Sequence, residues 1–283
     1  MARYNRNSLI FTHPRLILTK NNTIMKKTFR LMALVAMAAG LAFAACDRDE
    51  PVDPTPVNPT PVNPDVPNPV DPDPVNPDPV EPETAEWVDL GLPSGLLWAE
   101  CNLGATKPEE YGDYYAWGET STKEVYTWET YKYCTAVDEE GWVKTLSKYN
   151  TGSEYGTPDN LTTLQPSDDV ATQKLGNGAR MPSADEWREL IANTTSEWTT
   201  ENGVYGRKLT ASNGKSLFFP AAGYREGYEL PGAGESGIYW SSSLDADYSD
   251  SAWQFAFGSD NQYMLNYFRR EGSSVRAVCA SQN

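Results

Sequence analysis

A proline-rich stretch, residues 47–85, constrains this chain of 283 residues more than any other feature: 13 of its 39 residues are proline. Proline fixes φ and removes the amide donor, so neither a helix nor a sheet can form there. The stretch also carries ten acidic groups against one base, Arg48, and their mutual repulsion favours an extended chain. Polyproline II geometry, at about 3.1 Å per residue, predicts a disordered stalk with a reach on the order of 120 Å. The stalk separates a short N-terminal part from a large C-terminal part.

The N-terminal part has the pattern of an export signal. A basic stretch at 25–30 precedes the uncharged residues 31–45. Fifteen apolar residues make a helix of about 22 Å, which is too short for a hydrocarbon core of about 30 Å. A basic start, an apolar middle and small residues at the end are typical of a secretory signal peptide, which we assign to residues 25–45. Residues 1–24 have no role in this scheme, so we expect them to be a mis-assigned start extension, with translation beginning at Met25.

The end of this signal, Phe43-Ala44-Ala45-Cys46, resembles the lipobox of bacterial lipoproteins. The resemblance implies that Cys46 is the lipidated first residue and that residues 46–85 are the lipid-bearing linker. An ordinary signal followed by an incidental cysteine is the alternative. Asp47-Arg48-Asp49-Glu50 is similar to the surface-export signal of Bacteroidetes lipoproteins, which implies lipid anchoring on the cell surface at the outer membrane. The same residues are also simply the start of an acidic linker.

Charge and histidine content exclude several functions. Cleavage at Cys46 removes seven basic residues and leaves 16 basic against 39 acidic groups, a balance of −23. Such a polyanion is not expected to bind nucleic acid, because phosphate contacts rely on Lys and Arg. The one histidine, His13, precedes the cleavage site. Ser-His-Asp or Cys-His nucleophiles and His-ligated metals are therefore excluded from the mature part.

Residues 86–283 are expected to form a single domain, because about 200 residues can share one core. Alternation from Ser251 to Phe257 predicts a half-buried strand. Asn213-Gly214, between two strand-like runs, predicts a tight hairpin, and Asn202-Gly203 predicts another turn, because these residues tolerate positive φ.

Two helices are predicted among these strands. Ser183 and Glu186 have the spacing of a capping box, in which each side chain satisfies an orphan amide. A shorter helix is predicted over residues 168–175, with acids at its N-terminus and Gly176 ending it. Two helices among many, mostly antiparallel, strands indicate the α+β class.

Seven motifs follow one another through this domain: WVDLGLPSG at 87–95, WAECN at 98–102, EYGDYYAWGET at 110–120, RMP at 180–182 with EW at 186–187, PAAGYR at 220–225, YWSSS at 239–243 and SVR at 274–276. Together they resemble the Fibrobacter succinogenes major paralogous domain of Bacteroidetes lipoproteins. That family is similar to the C-type-lectin-like superfamily, which implies paired terminal strands, two helices and a long irregular loop region. The family has no established general activity, so the resemblance implies a fold and a habitat more than a chemistry.

Aromatic residues provide the candidate ligand-binding surface, because Trp and Tyr give a large contact area at a small entropy cost. Trp128, Tyr131 and Tyr133 lie outside the family motifs and are expected to be exposed. Tyr228 and Tyr248 lie on Gly- and Asp-rich loops and are expected to line a rim. The alternative is that aromatic residues fill the core of a domain that is poor in Leu and Ile.

Catalytic, metal and cofactor sites are not predicted. The calcium-binding tripeptides of C-type lectins do not occur here, and the loop aspartates Asp245, Asp247, Asp250 and Asp260 fit no known calcium-loop spacing. Carboxylates crowd residues 109–129, but their density does not show the fixed separation that glycoside hydrolysis needs.

Three cysteines occur in the domain, so one must remain unpaired. A disulfide between Cys101 and Cys279 would join the terminal strands and is our first expectation, although connectivity stays open.

The sequence thus predicts a surface lipoprotein whose head is a non-catalytic binding or adhesion module for a glycan or a surface protein. It contacts the membrane only through its lipid and does not bind nucleic acid. An extracellular glycan-active enzyme and a structural subunit of a surface complex remain the alternatives.

Overall fold

The computed structural model describes residues 85–281. The predicted start extension 1–24, the predicted signal peptide 25–45, the predicted lipidation site Cys46 and the linker up to residue 84 lie outside the described residues. Between residues 85 and 281, no helix is long and apolar enough to cross a membrane.

Within residues 85–281, eleven strands form four antiparallel sheets. The first sheet has the order β1-β2-β11, the second β3-β4, the third β5-β6-β7 and the fourth β10-β9-β8. The strands are β1 Trp87–Asp89, β2 Leu96–Ala99, β3 Cys134–Val137, β4 Val143–Leu146, β5 Thr194–Glu201, β6 Val204–Ala211, β7 Ser216–Pro220, β8 Gly237–Leu244, β9 Ser251–Phe257, β10 Gln262–Phe268 and β11 Val278–Ala280.

The first sheet joins the two ends of the domain. Trp98 of β2 pairs with Val88 of β1 on one side and with Val278 of β11 on the other, and its ring is fully buried. The expected pairing of terminal strands is therefore confirmed. Arg276 ties this sheet to its neighbour, because its guanidinium donates to the carbonyls of Glu100 at 2.7 Å and Phe218 at 2.9 Å.

Both predicted turns are confirmed in the third sheet. Asn202 and Gly203, with φ of 48° and 84°, connect β5 to β6 in a tight hairpin. Gly214, with φ of 80°, turns the chain from β6 to β7. A β-carbon is disfavoured at such φ values, which is why Gly and Asn occupy these positions.

Two α-helices, α1 (Val170–Leu175) and α2 (Ala184–Ala192), occur within residues 85–281. The capping box of α2 is confirmed, since Ser183 Oγ accepts from the Glu186 amide and the Glu186 carboxylate accepts from the Ser183 amide. Helix α1 is shorter than predicted. It starts only at Val170 because the Asp169 side chain caps it by accepting from the Thr172 amide.

Aromatic rings dominate the core. Trp187 of α2 stacks on Phe255 of β9 with ring centroids 4.9 Å apart, and Trp117 packs edge to face on Tyr149 at 5.0 Å. Alternation along β9 is confirmed, but both faces of the strand are covered, so it is more buried than expected. A sheet-rich domain with two helices, mostly antiparallel, is the observed α+β architecture.

Candidate functional site

On one face of the fourth sheet, the central strand β9 contributes two alanines. Along β9, Gln254 lies between Ala252 and Ala256, on the side opposite the buried phenylalanines. The register places Leu265 of β10 opposite Gln254 and Tyr267 opposite Ala252. Because short β9 side chains fill little space, the larger side chains of the neighbouring strands enclose a hollow over this face.

A pocket of about 140 Å³ occupies the hollow. Its apolar walls come from Ile238 of β8, Leu265 and Tyr267 of β10, and Tyr224 of the preceding loop. The rings of Tyr224 and Tyr267 meet edge to face, with centroids 6.2 Å apart and planes at 72°. All four wall residues are half-buried, so each presents part of its surface to a ligand.

Three buried polar side chains complete the lining, and one of them is an acid. Gln254 Nε2 donates to Ser273 Oγ at 3.0 Å. Glu271 is 0% exposed. The Arg270 Nη2 atom lies 3.0 Å from Glu271 Oε1, but among residues 85–281 no donor is hydrogen-bonded to either carboxylate oxygen. Burial raises the pKa of Glu271 to about 8, against a smaller lowering by Arg270, and Glu226 raises it further.

Arg270 serves several partners at once. Its Nη1 donates to the Tyr126 carbonyl at 3.2 Å, and its Nη2 lies 3.4 Å from Glu226 Oε1. The guanidinium also lies over the rings of Trp128 and Phe268, at 5.9 and 5.6 Å from their centroids. The Arg270 guanidinium is therefore held by a carbonyl and two aromatic rings, and its charge is shared between Glu226 and Glu271.

The pKa values of the Tyr224 and Tyr267 hydroxyls show which charges act on the pocket. The pKa of Tyr267 is raised to about 12, chiefly by burial and then by Tyr224, Glu271 and Glu226. Arg270 lowers this pKa, but its effect is the smallest of the five. Burial also raises the pKa of Tyr224, Glu226 and Glu271 raise it further, and Arg270 again has the smallest effect. When Glu271 is ionised, the two carboxylates thus outweigh the arginine at both hydroxyls.

A second, polar cleft of about 400 Å³ is lined partly by Asp113, Lys123 and Arg225. These charged groups already have partners inside the domain. Lys123 Nζ donates to Glu119 at 2.9 Å, Arg225 lies over the Tyr114 ring at 5.3 Å, and Asp113 accepts from a tyrosine hydroxyl at 2.9 Å. Three of the charged side chains that line the cleft are therefore engaged within the domain.

The expectation that Trp128, Tyr131 and Tyr133 are exposed is wrong, because all three are buried. Their rings pack edge to face, with Tyr131 5.6 Å from Trp128 and 5.7 Å from Tyr133. The Tyr131 hydroxyl donates to the Trp117 carbonyl at 2.7 Å, and that of Tyr133 to the Gly118 carbonyl at 3.2 Å. A buried tyrosine needs such a partner for its hydroxyl, and the carbonyls of the 110–120 motif supply it.

Tyr228 and Tyr248 are at the surface, with 74% and 40% of their area exposed. They lie on two different loops, one before β8 and one between β8 and β9. Only the loop of Tyr228 also contributes to the pocket, through Tyr224. Tyr224, Tyr267 and Glu271 were not among the predicted site residues. The alternation of large side chains at Tyr263, Leu265 and Tyr267 was the one sequence pattern that pointed to this face.

The expected disulfide is absent from the described residues, where Cys101, Cys134 and Cys279 are all free. Cys279 pairs with Leu97 of β2, and Cys101 lies four residues further along the chain, beyond the end of β2. Four residues of extended chain span about 13 Å, whereas bridged cysteines have Cα atoms within about 7 Å. The terminal strands are joined by backbone pairing without a covalent bond.

The loop aspartates act as structural acceptors. Asp245 accepts from the Asp247 amide at 2.9 Å and from Asn266, and Asp250 accepts from the Tyr155 hydroxyl at 2.8 Å. Across residues 85–281, no group of three His, Cys, Asp or Glu side chains is placed to hold a metal ion.

Comparison with known proteins gives one match, to part of the domain. Residues 207–278 match a family described as a domain of unknown function, DUF8237. No curated protein and no solved structure matched the chain.

The DUF8237 match encloses the whole pocket. It begins within β6 and ends at the first residue of β11, so it contains the entire fourth sheet. Every lining residue of the pocket, from Tyr224 to Ser273, lies inside it. The segment with a recognisable family is therefore the segment that builds the candidate site.

Proposed function

We propose that this chain is a surface lipoprotein whose head is a non-catalytic binding or adhesion module for a glycan or a surface protein. The observation that carries the proposal is the tyrosine-walled pocket on the fourth sheet. Half-buried Tyr224 and Tyr267 form its walls, and the more exposed Tyr228 and Tyr263 lie on the same loop and the same strand. Tyrosines that combine a rigid ring with a polar tip are enriched at binding surfaces.

The proposed fold is the C-type-lectin-like one. Three features support it: β1 and β11 both pair with β2, two helices occur in the described domain, and a long irregular stretch follows β2. Residues 100–133 contain no named strand or helix in the structure. Loops held by such a scaffold are common carriers of binding residues.

A glycan-active enzyme is the second candidate, because Glu226 and Glu271 flank one guanidinium, at 3.4 and 3.0 Å from the same nitrogen of Arg270. One half-buried acid, Glu226, and one buried acid with a raised pKa, Glu271, suit a pair of hydrolytic carboxylates. However, the pocket that Glu271 lines measures only about 140 Å³, which is too small for a pyranose ring with its hydroxyls. Binding therefore remains the better-supported function.

The test is an array of glycans and surface proteins probed with the purified protein, with and without chelator. The Y228A and Y263A variants should each reduce binding about tenfold or more, because exposed aromatic anchors contribute on the order of 1–2 kcal/mol or more. Y205A is the matched control, since Tyr205 is also an exposed tyrosine, with an exposure between those of Tyr263 and Tyr228, on the separate third sheet.

Three outcomes would reject the binding module in its present form. An array without any binding at high protein concentration would reject the binding module. Co-purification of a fixed partner would then favour a structural subunit. Release of shortened glycans with a pH optimum would favour the enzyme. Equal loss in Y205A and Y263A would show that the fourth sheet is not the binding face.

Surface anchoring is tested separately. Metabolic labelling with a fatty-acid probe should mark the wild-type chain but not the C46A variant, and protease added to intact cells should remove the wild-type head. Labelled protein that resists external protease would contradict surface exposure while leaving the lipid anchor in place.

A further inference from the structure

The volume of the pocket suits a guest of about six heavy atoms. A cavity of about 150 Å³ accommodates a benzene-sized guest of six heavy atoms, and the present pocket measures about 140 Å³. The side chain of lysine, four methylenes and an ammonium, is of this size. A pyranose ring with its hydroxyls has about twice as many heavy atoms.

The wall chemistry suits a methylene chain with a cation at its tip. Ile238 and Leu265 offer aliphatic surface to the methylenes. The rings of Tyr224 and Tyr267 offer π faces or edges, and a cation within about 6 Å of a tyrosine ring centre is attracted by its quadrupole. Apolar stems that end in a charge regularly bury the stem and hold the charge against polar groups.

The buried end of the pocket holds an acid without hydrogen bonds. Glu271 is fully buried and lines the pocket; Arg270 Nη2 lies 3.0 Å from its Oε1, but neither oxygen receives a hydrogen bond from residues 85–281. A buried carboxylate without donors is costly, and an ammonium supplies three N–H donors as well as the opposite charge. A hydrocarbon guest would leave both Glu271 oxygens without a hydrogen bond.

The charges around the pocket favour a cation. Arg270 is the neighbouring base and Glu226 the neighbouring acid, and the facing residues of β8 and β9, Ile238 and Gln254, are uncharged. Arg270 is divided between Glu226, Glu271 and a backbone carbonyl. The formal net charge of the whole chain is −16, which also attracts a basic partner surface.

We propose that the pocket bounded by Tyr224 and Tyr267 captures a lysine side chain of a partner protein, with its ammonium placed against Glu271. The inference rests on the proposed binding function and assigns it to a protein partner with an exposed lysine. The cation binds the ionised acid, so affinity increases as Glu271 loses its proton. Because burial raises the pKa of Glu271 to about 8, binding strengthens from neutral to mildly alkaline pH, where lysine stays charged.

The probe is Nα-acetyl-lysine amide, followed by amide chemical shifts in the NMR spectrum of the purified protein. Saturable shifts are expected for residues 265–273 of β10 and the segment after it, with a Kd on the order of 1 mM. Affinity should rise about tenfold between about pH 7 and about pH 9, because the ionised fraction of an acid with a pKa near 8 changes from about a tenth to about nine tenths.

Matched probes and variants separate charge from size. Nα-acetyl-norleucine amide, of similar length but uncharged, should bind at least tenfold more weakly. The E271Q variant should lose both the preference for lysine and the pH dependence, whereas E139Q, the same change on the exposed β3–β4 turn, should keep them. If E271Q does not fold, Y267L and the wild-type pH profile serve in its place.

Each result has a defined reading. Equal affinity for the lysine and norleucine probes, or a lysine affinity that falls with pH, overturns the proposal. Tighter binding of methyl glucosaminide than of the lysine probe overturns it in favour of an amino sugar. Absence of lysine binding by a protein that remains positive on the array rejects the lysine site alone, whereas a blank array rejects the binding module itself.

Discussion

Replacing Glu271 by glutamine tests the buried acid directly. The pKa of Glu271 is raised from its ordinary value of 4.5 to about 8, chiefly by burial. Between these values the unfolded chain has lost the proton and the folded chain keeps it. The stability that the neutral acid contributes is therefore complete below about pH 4.5 and is lost as the pH rises through about 8.

The magnitude follows from about 1.4 kcal/mol per pKa unit. Over the whole shift the free energy of unfolding falls by about 5 kcal/mol, and about 3 kcal/mol of this fall lies between about pH 6 and about pH 9. The E271Q chain carries no ionisable group at this position, so this part of the pH dependence disappears. Its absolute gain at neutral pH is smaller than about 3 kcal/mol, because the amide also lacks partners, at about 1–3 kcal/mol.

Urea unfolding of both proteins across this pH range is the assay. The difference between the E271Q and wild-type free energies of unfolding should grow by about 3 kcal/mol from the lowest to the highest pH. The E139Q control should run parallel to wild type. Parallel curves for E271Q and wild type would refute the reasoning, since they would mean that Glu271 ionises in the folded protein as easily as in the unfolded chain.

Three further changes test the core, a helix cap and an acidic hub. W128A should lower the free energy of unfolding by about 3–5 kcal/mol in urea because Trp128 is buried, and a loss as small as that expected of Y228A, within about 0.5 kcal/mol, would contradict this. S183A should cost about 1 kcal/mol by removing the cap of α2, measured against S121A on an exposed turn. Burial acts to raise the pKa of Asp168, but hydrogen bonds from Lys148, Tyr149 and Lys132 outweigh it and lower the pKa below its ordinary value of 3.8. The stability that ionised Asp168 contributes is present above pH 3.8 and is lost as the pH falls through its lowered pKa. D168N should therefore weaken the fall in the free energy of unfolding in acid, and an unchanged fall would contradict this role of Asp168.

Local features of the fold were predictable because each depends on a few adjacent residues. The Asn-Gly turns follow from tolerance of positive φ, and the capping box of α2 follows from the spacing of Ser183 and Glu186. Strand β9 was predictable from its alternation, but the cover on its second face was not. That cover comes from Tyr224 and Ser273, which are distant in sequence.

The candidate site was largely unpredictable for the same reason. Glu271 follows two arginines in the sequence, a context that suggests a solvated charge. Its surroundings include residues distant in sequence: Gly272 pairs with Arg225, and Tyr224 lines the same pocket as Glu271. Trp128 was expected to be exposed but is buried. An aromatic residue in an irregular segment gives no sign in the sequence of which residues pack on it. Phe268, from the far end of the domain, covers its ring.

The position of β11 has a consequence for how the domain folds. Trp98 and Val278 are register partners separated by nearly the whole length of the domain. Closing so long a loop is entropically costly, and contacts of this kind slow folding. The hairpin of β5 and β6 can form as soon as it is synthesised, but the first sheet stays incomplete until the last strand is released. A chain that is being synthesised therefore keeps one edge of β2 open until residues 278–280 are available, and truncation before residue 278 should leave the first sheet without its closing strand.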